Sequence, residues 1–232
     1  MEKQSSEELI SKDFVFAPDD SSGRLKFVGD FEGLYSSEDD PWGQSGADTR
    51  MGGYYAHSRS HLLKVLLSLP LPATPNMLEV GCGLGYVANM LHQGIANSKV
   101  SGMDISGLAI EKAAARFADI EFVVGDITSK KLAIEKRFDV IIVNQVLWYV
   151  LEGLAELFDN VEKLLVNGGI VVIVNAFLDD QKYGKEIIDG FDGLVKYAAM
   201  NLLGKRFSMI KAELDCASAF LYKDGLLALK KC

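Results

Sequence analysis

Met77-Leu78-Glu79-Val80-Gly81-Cys82-Gly83-Leu84-Gly85-Tyr86 is the stretch on which the reading of this chain turns. Apolar residues lead into glycines at 81, 83 and 85, and an amphipathic helical pattern follows. A strand–turn–helix of this kind brings backbone N–H groups close to a ligand, because glycine permits tight turns and has no Cβ to obstruct the approach. A dinucleotide site is spaced G-x-G-x-x-G. Here Tyr86 stands where the third glycine would fall, and Gly85 comes one position early. The displaced glycine points away from NAD.

Outward from this loop, short strands and helices alternate. Strands are expected near 77–80, 98–103, 120–125, 138–143 and 169–175, with helices near 86–95, 106–116 and 152–166. Ser106 is a candidate N-cap, and Glu152 falls in a first turn, where negative charge is favourable. Val140-Ile141-Ile142-Val143 and Ile170-Val171-Val172-Ile173-Val174 are nearly all β-branched. Such strands are buried on both faces, which implies a parallel sheet covered by helices: a doubly wound α/β domain. Tyr54 to Leu69 has a helix pattern stopped by Pro70 and Pro72. Before it, Pro18 to Gly23 and Ser36 to Gly43 have loop compositions. Between those loops, Leu25 to Gly29 and Phe31 to Tyr35 carry enough apolar bulk to dock on a core. Lys185 to Leu203 reads as a helix weakened by Gly190 and Gly193. Strands follow Phe207, and Asp224-Gly225 reads as the tight turn of a final antiparallel hairpin. Its first arm lies at 217–222 or nearer 209–214.

A chain of 232 residues, 49% of them hydrophobic, is enough for one buried core and an added cap. The net charge of -8 offers no basic footprint for a phosphate backbone, so nucleic acid is not the expected partner. No apolar run reaches the roughly 20 residues of a bilayer crossing, and Met1-Glu2-Lys3-Gln4 opens a polar stretch rather than a signal peptide. Cys82, Cys216 and Cys232 are odd in number and scattered, which fits a reducing cytoplasm and gives no metal-ligand spacing.

Ligands of doubly wound sheets sit outside the C-terminal strand ends. Asp104 ends the second of these strands, where its carboxylate can accept two hydrogen bonds from a ribose diol; its plainer reading is a turn residue before Ser106. Asp126 ends the third, where a carboxylate can accept from an exocyclic amine while the next N–H donates to a ring nitrogen. That pair would recognise adenine; the alternative is a solvated loop aspartate. Asn144-Gln145 follows the fourth strand. Gln145, Trp148 and Tyr149 are placed to wall a pocket; Trp148 is equally large enough to be plain core, and Tyr149 has more claim because a buried hydroxyl needs a partner.

These residues carry a resemblance. Leu78 to Gly85 resembles the glycine motif of class I S-adenosylmethionine-dependent methyltransferases. Asp104, Gly125-Asp126-Ile127, Phe138-Asp139-Val140-Ile141 and Leu164 to Gly169 match the successive motifs of that superfamily in order. The resemblance implies a Rossmann-like, mostly parallel seven-stranded sheet with its last strand antiparallel. It also implies that Gly81 to Gly85 approach the methionine part of the cofactor, Asp104 holds the ribose, and Asp126 with the Ile127 amide reads the adenine. The expected cofactor site thus comprises Glu79, Gly81, Cys82, Gly83 and Gly85, then Asp104, Ile105, Asp126, Ile127 and Asn144. Arg59, with Tyr54 or Tyr55, joins it from the N-terminal helix, because a guanidinium matches a carboxylate. More narrowly, Asp40-Pro41-Trp42, the Tyr54 to Arg59 helix and Val146 to Val150 resemble nodulation-type small-molecule N-methyltransferases, in which the N-terminal segment closes over the cofactor. Asn144-Gln145 departs from the acid usual at that strand end. One domain over 1–232 is expected: a lid at 1–70, a cofactor core at 75–176, and a substrate-side insertion with terminal hairpin at 177–232.

An amine nucleophile must arrive neutral, whereas an alcohol needs a general base. His92 reads as a surface residue. His57 and His61 share a helix face without the further ligands that a metal would need. No histidine follows Gly169, which favours methyl transfer to an amine, with Gln145, Tyr149 and Tyr183 around the acceptor and Asp179 at the rim. An O-methyltransferase with His57 as base is the alternative. Aminopropyl transfer on the same sheet and a non-catalytic nucleoside-binding module are two others. The expected product is S-adenosylhomocysteine, the expected partner a small molecule, the state monomer or homodimer, and neither metal nor membrane is expected.

Overall fold

The computed structural model describes residues 14–19, 25–46, 51–132, 134–216 and 220–232. The chain starts with a small hairpin, β1 (Phe16–Pro18) and β2 (Leu25–Phe27), followed by α1 (Phe31–Ser37) and α2 (Gly52–Ser68). The alternation then begins: β3 (Asn76–Val80), α3 (Tyr86–Gly94), β4 (Lys99–Asp104), α4 (Gly107–Arg116), β5 (Glu121–Val124) and β6 (Phe138–Asn144). It closes with α5 (Leu154–Leu164), β7 (Leu165–Phe177), α6 (Gly190–Asn201), β8 (Phe207–Leu214) and β9 (Lys223–Lys231).

The main sheet has seven strands in the order β5-β4-β3-β6-β7-β9-β8. β3 to β7 run parallel, and β9 is antiparallel to both β7 and β8. The expected doubly wound, mostly parallel sheet with an antiparallel last strand is the one observed. Chain direction across the sheet reverses between β3 and β6, which opens a crevice above their C-terminal ends.

The period of two along each strand splits the core. Leu78, Val80, Ile141, Val143, Val171 and Ile173 face α5 and α6. Met77, Val140, Ile142, Ile170 and Val172 face α2 and α3. Within α5, Leu154, Leu157, Phe158, Val161 and Leu164 recur at helical spacing and are all buried. Each such side chain contributes about 1.5–3 kcal/mol on full burial. Ser106 caps α4, its Oγ accepting from Ala109 N at 3.1 Å.

Four expectations need correction. Asp224-Gly225 is not a turn but the second and third residues of β9, with Asp224 beside Ala176 and Gly225 beside both Asn175 and Leu214. Glycine is needed there for closeness, since a Cβ at 225 would lie 2.4 Å from the Phe191 ring and 2.5 Å from that of Phe177. The first arm is β8, so the 209–214 alternative holds; 217–219 of the other lie outside the described residues. The helix expected from Lys185 begins only at Gly190, whose φ of +65° cannot continue a right-handed helix backwards. β7 begins at Leu165, four residues early, with a break in register opposite Phe138 and Val140. Glu152 precedes α5, in a short 3-10 turn at Leu151–Gly153.

The N-terminal segment does dock. Val15, Phe16 and Leu34 form a cluster with Trp42, Tyr149 and Tyr183 over the crevice. The loop composition at Pro18 to Gly23 falls largely outside the described residues, and Ser36-Ser37 end α1 instead of opening a loop. Among the described residues, no helix is long and apolar enough to cross a membrane.

Candidate functional site

The glycine loop joins β3 to α3. Gly81, Gly83 and Gly85 take φ of +69°, +51° and +80°, a region that costs other residues about 1–2 kcal/mol. Gly81 N and Cys82 N donate to Met103 O at 2.7 and 3.0 Å, which ties the loop to β4. A Cβ at Gly81 would lie 2.1 Å from Val146 Cγ2. Asp104 stands behind the loop: Oδ2 accepts from Gly83 N at 2.8 Å and Oδ1 from Ser106 N at 3.0 Å. Burial raises its carboxyl above the ordinary range, and those two amides pull the other way.

A cavity of about 270 Å³ opens above the loop. On one side lie Asp104, Asp126, Ile127 and Ile105, the last of them 52% exposed despite its apolar side chain. Asp126 Oδ1 accepts from Thr128 N and Thr128 Oγ1 at 2.8 and 2.7 Å, which orients the carboxylate. On the other side stand Asn144, Gln145, Val146 and Tyr149. Asn144 Oδ1 is buried and has no hydrogen-bond partner among the described residues.

The roof comes from the N-terminal segment: Phe27, Phe31, Tyr35, Trp42, Gln44, Tyr55 and Arg59. Rings of Phe27, Phe31 and Trp42 sit 6.3, 5.3 and 5.9 Å from that of Tyr149. Gln44 Oε1 accepts from Leu84 N at 3.2 Å, and its main-chain oxygen accepts from Arg59 Nη2 at 2.5 Å. The Arg59 guanidinium lies over the rings of Tyr55 and Tyr86. Burial lowers its pKa and the nearby Glu79 raises it. Glu79 is itself buried, which pushes its carboxyl well above the usual range against the Ala88 amide and Arg59. Burial likewise raises the hydroxyls of Tyr35, Tyr55 and Tyr149, so these three stay protonated near neutral pH.

A methyltransferase-domain family model matches residues 78–171. By structure, the chain is similar to the crystal structure of the N-methyltransferase NodS from Bradyrhizobium japonicum WM9 in complex with S-adenosyl-L-homocysteine. The TM-score is 0.65 at 20% identity, with 87% of this chain and 97% of that one covered. This is the class I methyltransferase fold. By sequence, nodulation protein S of Rhizobium tropici is 31% identical over 144 residues, 60% of this chain and 56% of that protein. Malonyl-[acyl-carrier protein] O-methyltransferase 1 of Ilyobacter polytropus is 32% identical over 151 residues, 60% of this chain and 55% of that protein. The chain thus spans about half the length of these two relatives.

Within the methyltransferase fold, the expected site residues separate into three groups. Arg59, Gly81, Asp104, Ile105, Asp126, Ile127, Asn144, Gln145 and Tyr149 line the cavity. Glu79, Cys82, Gly83 and Gly85 lie in or behind the loop, with Glu79 and Cys82 buried. Tyr54, His57 and Tyr183 stand elsewhere. Tyr54 turns its hydroxyl to Asp224 Oδ1 at 2.6 Å, and its neighbour Tyr55 takes the cavity position. His57 Nε2 pairs with Asp215 Oδ2 at 2.6 Å outside the cavity, and His61 pairs with Glu213. Tyr183 packs on Phe16 at 4.9 Å and does not line the cavity. Asp179 is held by Lys223 at 2.8 Å on the surface. The roof aromatics Phe27 and Phe31 were legible only as docking residues. Tyr35, which approaches Gly83, was likewise legible only as a docking residue, and Gln44, which approaches Leu84, had no sequence signal.

Proposed function

We propose that the cavity binds S-adenosylmethionine and S-adenosylhomocysteine and transfers a methyl group to a small amine. The observation that carries the reading is the pairing of two walls: a glycine loop flanked by Asp104 and Asp126, facing Asn144, Gln145 and Tyr149 across the cavity. The first wall fits the cofactor. The loop has no Cβ, Asp104 is available to a diol, Asp126 and the Ile127 amide to adenine, and Ile105 offers an apolar face to a base. Arg59 is the cation within reach of a carboxylate.

When bound, the cofactor supplies an electrophilic methyl on a positively charged sulfur. The chain's own residues do the rest. Phe27, Phe31, Trp42 and Tyr149 exclude water from the reacting end, which strengthens every polar contact inside. Asn144 lines the wall opposite the glycine loop, and its side-chain amide would orient the nitrogen of an amine placed against it. The tyrosine hydroxyls, held protonated by burial, can share hydrogen bonds but are poor proton acceptors. An alcohol acceptor would need a base, and His57, the candidate for it, is engaged with Asp215 outside the cavity. An anionic acceptor would meet two lining carboxylates against a single lining guanidinium.

Incubation with methyl-labelled cofactor and a panel of amines, amino sugars, phenols and carboxylates, read by mass spectrometry, tests the reading. Label on nitrogen supports it, with rates that rise with pH as the free amine loses its proton. Label confined to oxygen overturns it in favour of the O-methyltransferase.

A further inference from the structure

One carboxylate stands behind the cavity wall and has no part in the reaction just described. β9 runs antiparallel to β7, so its first residues lie at the crevice end of the sheet, and Asp224 pairs with Ala176 there. Asp224 is only 3% exposed. Its Oδ1 accepts from Tyr54 Oη at 2.6 Å and from Gln145 Nε2 at 3.3 Å. Its Oδ2 is buried with no partner among the described residues. An ionised carboxylate can accept about four hydrogen bonds, and burial of an unmet charged oxygen is strongly unfavourable.

A second observation meets the first at Gln145. This residue lines the cavity with φ of +59°, a left-handed conformation that is uncommon outside glycine. Four hydrogen bonds hold it there. Its N donates to Val174 O at 2.7 Å, its Oε1 accepts from Ala176 N at 2.8 Å, and its Nε2 reaches Tyr54 Oη at 3.0 Å as well as Asp224. Strain kept by so many bonds marks a side chain whose position matters. The end of β6 carries two amides, Asn144 and Gln145, and β9 brings the negative charge to the same place.

We propose that Asp224, through its charge and its hold on Gln145, is the positioning residue that makes the acceptor end of the cavity select a cationic amine over its neutral isostere. This deepens the amine reading above and rests on it. The carboxylate is set behind Gln145, whose side-chain amide it holds together with Tyr54 and Ala176, and its charge favours a cation at that end of the cavity; the amine therefore binds as the cation and must lose its proton before transfer.

Two isosteric probes test this on the full chain saturated with S-adenosylhomocysteine: benzylamine, cationic at neutral pH, and benzyl alcohol. Calorimetry is expected to show benzylamine bound roughly tenfold more tightly or better, the scale of one hydrogen bond to a charged group. Asp224→Asn keeps an acceptor for Tyr54 but removes the charge; it should abolish the preference and leave S-adenosylhomocysteine affinity unchanged. Tyr54→Phe keeps the charge and should keep the preference. In the wild type alone, benzylamine affinity should fall as pH rises through the amine's pKa while that of benzyl alcohol stays flat. No preference in the wild type, no benzylamine binding, or a preference that survives Asp224→Asn overturns the proposal. Failure of the wild type to bind S-adenosylhomocysteine would instead overturn the methyltransferase reading.

Discussion

Replacing Gly81 with alanine isolates the demand that the glycine loop makes on the fold. Two costs add. A non-glycine residue at φ +69° carries about 1–2 kcal/mol. The new Cβ, 2.1 Å from Val146 Cγ2, must displace that side chain, at about 1–3 kcal/mol for an overpacked site. Gly81→Ala is therefore expected to lose about 2–5 kcal/mol of a domain stability of about 5–15 kcal/mol. Val146→Ala alone removes partly buried methyl groups and should cost about 1 kcal/mol. In the double variant the steric part vanishes and the backbone part remains, so the total should fall to about 2–3 kcal/mol. Urea unfolding of the four proteins, compared as a double-mutant cycle, should then show a coupling of about 1–3 kcal/mol. Strictly additive losses would refute the clash, and a neutral Gly81→Ala would refute the loop conformation itself.

Three further outcomes are expected. The buried carboxyl of Glu79 has a raised pKa, so the folded state binds its proton more tightly than the unfolded chain; that contribution to stability is present below the unfolded carboxylate range and is lost as pH rises through the folded value. Unfolding free energy should decline over that window in the wild type, and Glu79→Gln should flatten the decline; an unaltered profile would remove Glu79 as its source. His57→Ala should leave methyl transfer within a few-fold and cost at most about 1 kcal/mol, because its pair with Asp215 is partly solvent-exposed; loss of activity in kinetic assays would return His57 to the role of base. Hydrogen exchange over Asp40 to Arg59, of which 47–50 lie outside the described residues, should slow when S-adenosylhomocysteine is added, since Trp42, Gln44, Tyr55 and Arg59 line the cavity; equal exchange in both states would make the roof a fixed part of the fold.

The sheet was legible because its strands write their environment into their composition. Val140 to Val143 and Ile170 to Val174 are apolar at every position, and both faces are indeed covered. The loop and the acids at 104 and 126 were legible because their spacing from β3, β4 and β5 is local. What sequence could not give was contact across long separations. Asp224-Gly225 has the composition of a turn, yet Asp224 is used for the hydroxyl of Tyr54, 170 positions away, and Gly225 for the closeness of two phenylalanine rings. Tyr54 and Tyr55 are adjacent on one helix, and only the packed neighbours decide which of the two faces the cavity. His57 and Asp215 are separated by 158 positions, so nothing local showed that the histidine already had a partner.

The central claim is that the glycine-loop cavity binds the S-adenosyl group, and a calorimetric titration of the full chain with S-adenosylhomocysteine tests it most directly. One saturable site is expected, with no heat from NAD. Asp104→Ala should weaken it by about 1.5–3 kcal/mol, the worth of hydrogen bonds to a charged group. Absence of binding, or an affinity untouched by Asp104→Ala, would contradict the account.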